Sequence, residues 1–398
     1  MRSMARKGSS GPGFALRGKK RDEFMRELAD KFIEQIESGD VGMWKRPWTS
    51  GGILMVPHNI RSTTNNPSLY RGINNIILML SGWDYPTQQW GTFDQWKEVS
   101  RKHAKSKGEF EVKLGKNGKK YESTTEWYGV KKGESGTKIV FWKPLIRTEY
   151  NPETKQDEDK VQSIMMRVYT VFNREQTGLP PLEEALNIDL EGEEFNQREK
   201  NLHDLCKWYA ENPPSIGAGK MDPIKINHGG DRAFYTPSND NVHIPHKGMF
   251  DSNLHYLSTL CHELLHSTGH SMRLNRNMSG NRFGDKAYAF EELVVEFATS
   301  MLLGACGLSG DLRHIEYIAS WVRGLKDDPE ALMRAAQQAQ KAVDYMLDNY
   351  AKHLEEQGEM LRLLPRVCPV CMGDYILPEP VCGYCEEQKE LTNEDEEE

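Results

Sequence analysis

His262-Glu263-Leu264-Leu265-His266 sets two imidazoles four residues apart with a carboxylate between them. Residues i and i+4 share one face of an α-helix. Two imidazoles on that face can hold one zinc ion, with Glu263 beside it. The surroundings predict a helix over about 253–268. Leu257, Leu260, Cys261, Leu264 and Leu265 recur at helical spacing, and Gly269 follows as a stop.

A third ligand then has to come from another element. Residues 278–284 read as a loop, and Asp285 is a candidate cap for a helix over Lys286–Leu303. That helix carries Glu291, Glu292 and Glu296 beside an apolar stripe of Phe290, Leu293, Val294, Phe297 and Met301. Glu292 and Glu296 point together, while Glu291 projects elsewhere. The pair resembles the glutamate zincins, a likeness that implies Glu292 as third ligand and Glu296 as the outer support of a ligand histidine. Glu291 stays open as the alternative ligand, and three solvated glutamates as the bland one. A metzincin would need a histidine where Met272 stands; His270 comes two positions too early and reads as a loop or outer-support histidine. A catalytic site of this kind uses Glu263 as general base. Tyr288 is the candidate oxyanion donor. Val242-His243-Ile244-Pro245 reads as a short strand, either ordinary or an edge available to an extended peptide.

The 398 residues suffice for two or three domains. The mean hydropathy is −0.69 and no apolar run approaches 18 residues, so no membrane partner is expected. The basic N-terminus lacks the apolar stretch of a secretory signal. Cys206, Cys261 and Cys306 are isolated and read as buried reduced thiols, which points to the cytoplasm.

The net charge of −8 conceals a division. Residues 1–150 hold 27 Lys+Arg against 16 Asp+Glu, and the remainder 24 against 43. Seven of the nine tryptophans (Trp44, Trp48, Trp83, Trp90, Trp96, Trp127 and Trp142) also lie in the front part. Basic residues interleaved with aromatics suit single-stranded nucleic acid, where phosphates meet cations and bases stack on rings. A Trp-rich core under a solvated basic surface has the same composition. The binding candidates are Tyr70, Arg71, Asn74, Trp90, Lys113, Lys116, Lys119, Lys120, Lys131, Lys132 and Lys138.

The pattern divides the chain into a disordered basic arm (1–21), a front domain (22–180), a rear domain (195–357), a short knuckle (365–387) and an acidic tail (388–398). Glu149–Lys160 reads as a charged turn between two strands, and residues 101–122 as a hairpin or insertion. Cys368-Pro-Val-Cys371 and Cys382-Gly-Tyr-Cys385 have the spacing of a structural zinc ribbon with four thiolate ligands. The fold class expected is α+β: an α+β front domain, a mainly helical rear domain with a small sheet, and the ribbon.

Taken together, the segments resemble the ArdC-type antirestriction proteins, the N-terminal regions of plasmid TraC primases and phage polyvalent proteins. The resemblance is carried by Tyr70-Arg-Gly-Ile-Asn74, Trp90-Gly-Thr-Phe93, Val171-Phe-Asn-Arg-Glu-Gln176, Ala233-Phe-Tyr-Thr-Pro237, His262 to His270 with Arg273-Leu274, and Tyr288-Ala-Phe-Glu-Glu-Leu293. It implies a front domain that binds single-stranded DNA, a rear zincin-like metallopeptidase domain with a possible peptide substrate, and a mobile-element role protecting incoming DNA from host restriction. A primase-associated or structural DNA-binding protein with a catalytically silent zinc site is the alternative. The Lys/Gly-rich insertion, ribbon and acidic tail lie outside the resemblance.

Overall fold

The structure, a computed structural model, describes residues 14–16, 18–37, 56–61, 69–82, 85, 87–114, 119–151, 156–180, 193–215, 221–276, 286–308, 318–359, 366–367 and 374–375. Along the chain run β1 (Phe14–Leu16), α1 (Lys19–Glu37), β2 (His58–Asn59), α2 (Ile73–Ser81), β3 (Gln89–Thr92), α3 (Phe93–Ser106), β4 (Phe110–Leu114), β5 (Lys120–Thr124), β6 (Thr137–Asn151) and β7 (Gln156–Asn173). They are followed by α4 (Glu193–Glu211), β8 (Lys225–His228), β9 (Phe234–Thr236), β10 (Asn241–Ile244), α5 (Asn253–Ser267), α6 (Lys286–Ala305), α7 (Ile318–Asp327), α8 (Ala331–Glu356), β11 (Arg366–Val367) and β12 (Asp374–Tyr375). The mixed α+β class matches the expectation from sequence.

Two compact units emerge, and their borders differ from the expected ones. The first holds residues 1–27, 59–61 and 89–181; the second holds 28–58, 62–88 and 182–398. Thus α2, placed by sequence in the front domain, belongs to the second unit. Its apolar residues Ile73, Ile76, Ile77, Leu78 and Leu80 are buried, and α8 packs against it. An apolar helix needs a partner face, and α8 supplies one.

In the first unit β7 is the hub of a five-stranded sheet. It pairs antiparallel with β6 along one edge and with β1 and β3 along the other. β-Branched and aromatic residues favour these strands, and Ile139, Val140, Met166, Val168 and Val171 are buried. The charged turn expected over Glu149–Lys160 is shorter than that: residues 149–151 and 156–160 are paired strand, the register continuing to Asn151↔Gln156. Nor is the basic arm wholly disordered, because Phe14–Leu16 pairs with β7, Leu16 is buried, and α1 starts at Lys19. Thr92 and Gln95 form a capping box at the start of α3. This sets Trp96 inward, where its indole N–H donates to the Phe172 carbonyl at 2.9 Å. Gly91 is required there: a Cβ would lie 2.8 Å from Ile60 and 3.1 Å from the Trp96 ring.

The second unit is a helical assembly beside a small sheet ordered β8-β10-β9. The inner face of α8 is mostly small: Ala335, Ala336, Ala339 and Ala342 are buried against neighbours that include α6. Leu293, Val294, Phe297, Ala298, Met301 and Leu302 bury α6, and Phe32 meets Phe297 edge-on at 5.5 Å. Cys206, Cys261 and Cys306 are buried free thiols, as expected. Among the described residues, no helix is long and apolar enough to cross a membrane.

His58 gives this unit a pH response. Its Nδ1 sits 3.0 Å from the Val56 carbonyl, and Nε2 makes no hydrogen bond. Burial pulls the imidazole down from 6.5 to about 4, against the raising effect of the Val56 carbonyl. The ring is therefore neutral in the fold where the unfolded chain already takes a proton. Its contribution is complete above pH 6.5 and is lost as pH falls towards 4, by roughly 3 kcal/mol. Denaturant unfolding of wild type and His58→Asn checks this: the stability difference should grow from pH 4 to 6.5, and a flat difference contradicts it.

Candidate metal centre

α5 starts at Ser252, whose hydroxyl accepts from the His255 N–H at 3.1 Å. Its apolar residues Leu257, Leu260, Leu264 and Leu265 are buried on the core side. This turns His262, Glu263 and His266 towards α6, where all three are also buried. α6 crosses α5 and presents Glu291, Glu292 and Glu296, each under a tenth exposed.

The two Nε2 atoms of His262 and His266 stand 3.2 Å apart. Glu292 places Oε2 3.5 Å from His262 Nε2 and Oε1 3.5 Å from His266 Nε2. Tetrahedral ligands at zinc bond lengths of about 2.0–2.1 Å are separated by about 3.3–3.4 Å. The triangle His262-His266-Glu292 therefore has the dimensions of three corners of a tetrahedral shell, and among the described residues it is the one group that meets such a test. Glu292 Oε2 is buried and makes no hydrogen bond, as fits a ligand atom. The donor set fits a divalent cation.

The outer nitrogens have carboxylate partners as well. His262 Nδ1 lies 3.7 Å from Glu296 and His266 Nδ1 3.4 Å from Glu291. Glu296 thus stands beside the outer nitrogen of His262. Glu291, expected to project elsewhere, faces His266 and is gripped by Arg276 at 2.7 Å. Burial opposes the ionised state of Glu292 and Glu291. For Glu292, His266 and His262 outweigh it and hold the carboxyl far below its usual range. For Glu291, Arg276 and His266 do so. Burial likewise opposes protonation of His266, but Glu292 and Glu291 raise its pKa well above the ordinary value. To hold a divalent cation, His266 would have to give up that proton.

Glu263 stands apart from this group electrostatically. Burial lifts its carboxyl to about 7, against the lowering influence of His266 and of a hydrogen bond from the Tyr235 backbone N–H. That bond brings β9 to the base. β9 is pinned in turn: Tyr235 donates its hydroxyl to Asp240 at 2.7 Å, and Arg273 holds both oxygens of Asp240 at 2.9 and 2.5 Å. Arg273 also donates to the Ser267 carbonyl at 2.8 Å, which ties the sheet to the end of α5. The sequence 242–245 does not form an edge. β10 is the central strand, parallel to β8 and antiparallel to β9, and its Val242 and Ile244 are buried.

The remaining candidates divide. Tyr288 is half-buried in the first turn of α6, one turn before Glu292. His270 lies in the turn after α5, where Nδ1 accepts from the Met272 N–H at 3.2 Å, away from the triangle. Asp285 and the four knuckle cysteines (Cys368, Cys371, Cys382 and Cys385) lie outside the described residues. Trp90 is fully buried in β3, and Tyr70 and Asn74 are buried in the second unit, so their side chains serve packing and are closed to a nucleic acid. Arg71 is exposed and paired with Asp344 of α8. Lys113 is exposed beside Glu111 at 2.6 Å. Lys119, Lys120, Lys131, Lys132 and Lys138 are exposed in the first unit, and Lys116 lies outside the described residues. The aromatics that do reach solvent there, Tyr121, Trp127, Phe141 and Trp142, are about half exposed and are not among the residues singled out for binding.

Comparison with known proteins agrees with this geometry. Residues 22–172 match the N-terminal domain of anti-restriction factor ArdC, and residues 220–338 match a zincin-like metallopeptidase family. The chain belongs to the ArdC-type antirestriction family. It is similar to the crystal structure of antirestriction protein ArdC from plasmid R388. The metal-free form has a TM-score of 0.55 at 27% identity, covering 83% of this chain and 98% of that one. The Mn(II)-bound form gives 0.53 at 27% identity, covering 82% and 98%. Among sequences, protein y4eC of Sinorhizobium fredii is 31% identical over 80% of this chain and 90% of its own length. DNA primase TraC of Escherichia coli is 33% identical over 86% of this chain. The chain spans only 29% of that primase.

Proposed function

We propose that this ArdC-type protein binds single-stranded DNA through its first unit and is a zinc-dependent peptidase in its second, protecting incoming DNA of a phage or plasmid from host restriction. The observation that carries the peptidase reading is the triangle of ligand atoms 3.2–3.5 Å apart with a buried carboxylate, Glu263, beside it. His262, His266 and Glu292 would hold the cation. When bound, it supplies Lewis acidity, polarising a peptide carbonyl and easing the deprotonation of water. Glu263 takes a proton on its carboxylate and returns it to the leaving amine. Glu296 and Glu291 orient the two imidazoles.

Single-strand binding is supported by the exposed rings of Tyr121, Trp127, Phe141 and Trp142 in the unit that also carries the exposed lysines. Rings stack on unpaired bases and lysines meet phosphate. A gel shift with a single-stranded oligonucleotide checks this, run from 50 to 200 mM salt. Binding should weaken steeply with salt, and Trp142→Ala or Trp127→Ala should each lose about 1–3 kcal/mol of affinity. Equal affinity for duplex, or indifference to both substitutions, contradicts the reading.

A further inference from the structure

We infer that Arg276 is a positioning residue of the metal centre, acting on His266 through Glu291. The inference rests on the reading that His262, His266 and Glu292 hold a cation. Arg276 follows α5 by nine residues, yet its side chain turns back under the site and is 6% exposed. Its guanidinium grips Glu291 side-on. Nε donates to Oε2 at 2.9 Å and Oε1 at 3.2 Å, and Nη2 donates to Oε1 at 2.7 Å. The remaining donors anchor the fork to the end of α5: Nη2 to the Leu265 carbonyl at 2.9 Å, and Nη1 to the Thr268 hydroxyl at 2.7 Å.

One Glu291 oxygen therefore has its position set twice by Arg276, and that same Oε1 lies 3.4 Å from His266 Nδ1. A planar fork fixes a carboxylate in both distance and plane, which a point charge does not. A carboxylate so held keeps the Nδ1 proton of His266 on its own side of the ring. Nε2 is then left to present its lone pair into the triangle with His262 and Glu292. Leu265, whose carbonyl Arg276 holds, is the residue before His266, so ring and backbone are restrained by one side chain. Without the guanidinium, Glu291 is a buried carboxylate stripped of its counter-charge, and the ring loses its fixed support.

The test is Mn(II) titration of the full chain, read by the electron paramagnetic resonance of free Mn(II). Mn(II) alone is the probe because carboxylate and imidazole take it while thiolates select softer ions. Wild type should bind one Mn(II) at the triangle, and Arg276→Met should bind it about 10–100-fold more weakly. Arg276→Lys should recover part of the loss, since it restores charge without the fork. Because Arg276 works through Glu291, the double variant Arg276→Met/Glu291→Gln should bind no more weakly than Glu291→Gln alone. Full Mn(II) affinity in Arg276→Met, with only the metal-free melting temperature lowered, makes Arg276 merely structural and overturns the inference. Additive losses in the double variant overturn it as well. Should Arg276→Met fail to fold, Glu291→Gln carries the test, and unchanged affinity there overturns the inference. Wild type that takes up no Mn(II) removes the metal reading itself, and this inference with it.

Discussion

Glu292→Ala should lose the divalent cation. The expected fall in affinity exceeds the roughly 10–100-fold that loss of an outer partner costs, because Glu292 is the third corner of the triangle. Its two oxygens each stand 3.5 Å from a histidine Nε2, and one makes no hydrogen bond. Alanine leaves two imidazoles, which are not enough to hold a cation against water. The fold should survive the change, since the apolar side of α6, from Leu293 to Leu302, is untouched. Metal titration by equilibrium dialysis, with circular dichroism as the check on folding, reads the result. Full metal affinity in Glu292→Ala would move the third ligand elsewhere.

Glu263→Gln should separate metal from chemistry. Gln keeps the shape of the side chain and an oxygen to accept the Tyr235 N–H. It cannot accept a proton as a carboxylate does. Metal affinity should stay within a few-fold of wild type, because Glu263 is not part of the triangle. Peptide cleavage, assayed with single-stranded DNA present, should fall by roughly 10²–10⁴-fold, the range a general base contributes. A Gln variant that cleaves at the wild-type rate denies Glu263 that role.

The candidate metal site was legible in the sequence where helical periodicity alone determines geometry. Spacing of four and a run of leucines place His262 and His266 on one face of α5. Glu292 and Glu296 share a face of α6 for the same reason. Glu291 was misjudged because a helical wheel considers one helix at a time. With α5 crossing nearby, adjacent positions on α6 reach both sides of one imidazole, and Glu291 meets His266 while Glu292 meets the triangle. Arg276 gave no signal: nothing periodic links it to Glu291, fifteen residues away, and only the chain's return beneath α5 joins them. Asp240 and Arg273, thirty-three residues apart, are joined in the same way.

In the first unit, composition described the residues but not their side. A surplus of tryptophan fits a core and a binding face equally well. The sheet decides between them: Trp90 and Trp96 face inwards, Trp127 and Trp142 outwards. Strand length was also hidden, because the charged residues 149–160 look like a turn while residues 149–151 and 156–160 are paired within β6 and β7. The place of α2 in the second unit depends on a partner, α8, more than 250 residues further along the chain. No local pattern carries that information.

The proposed chemistry needs one cation shared by α5 and α6. Anomalous diffraction at the zinc edge, from crystals of the full chain grown with zinc, tests it most directly. A peak about 2.0–2.2 Å from His262 Nε2, His266 Nε2 and a Glu292 oxygen is the predicted result. Zinc found only at other sites, with the triangle left without density, would contradict it.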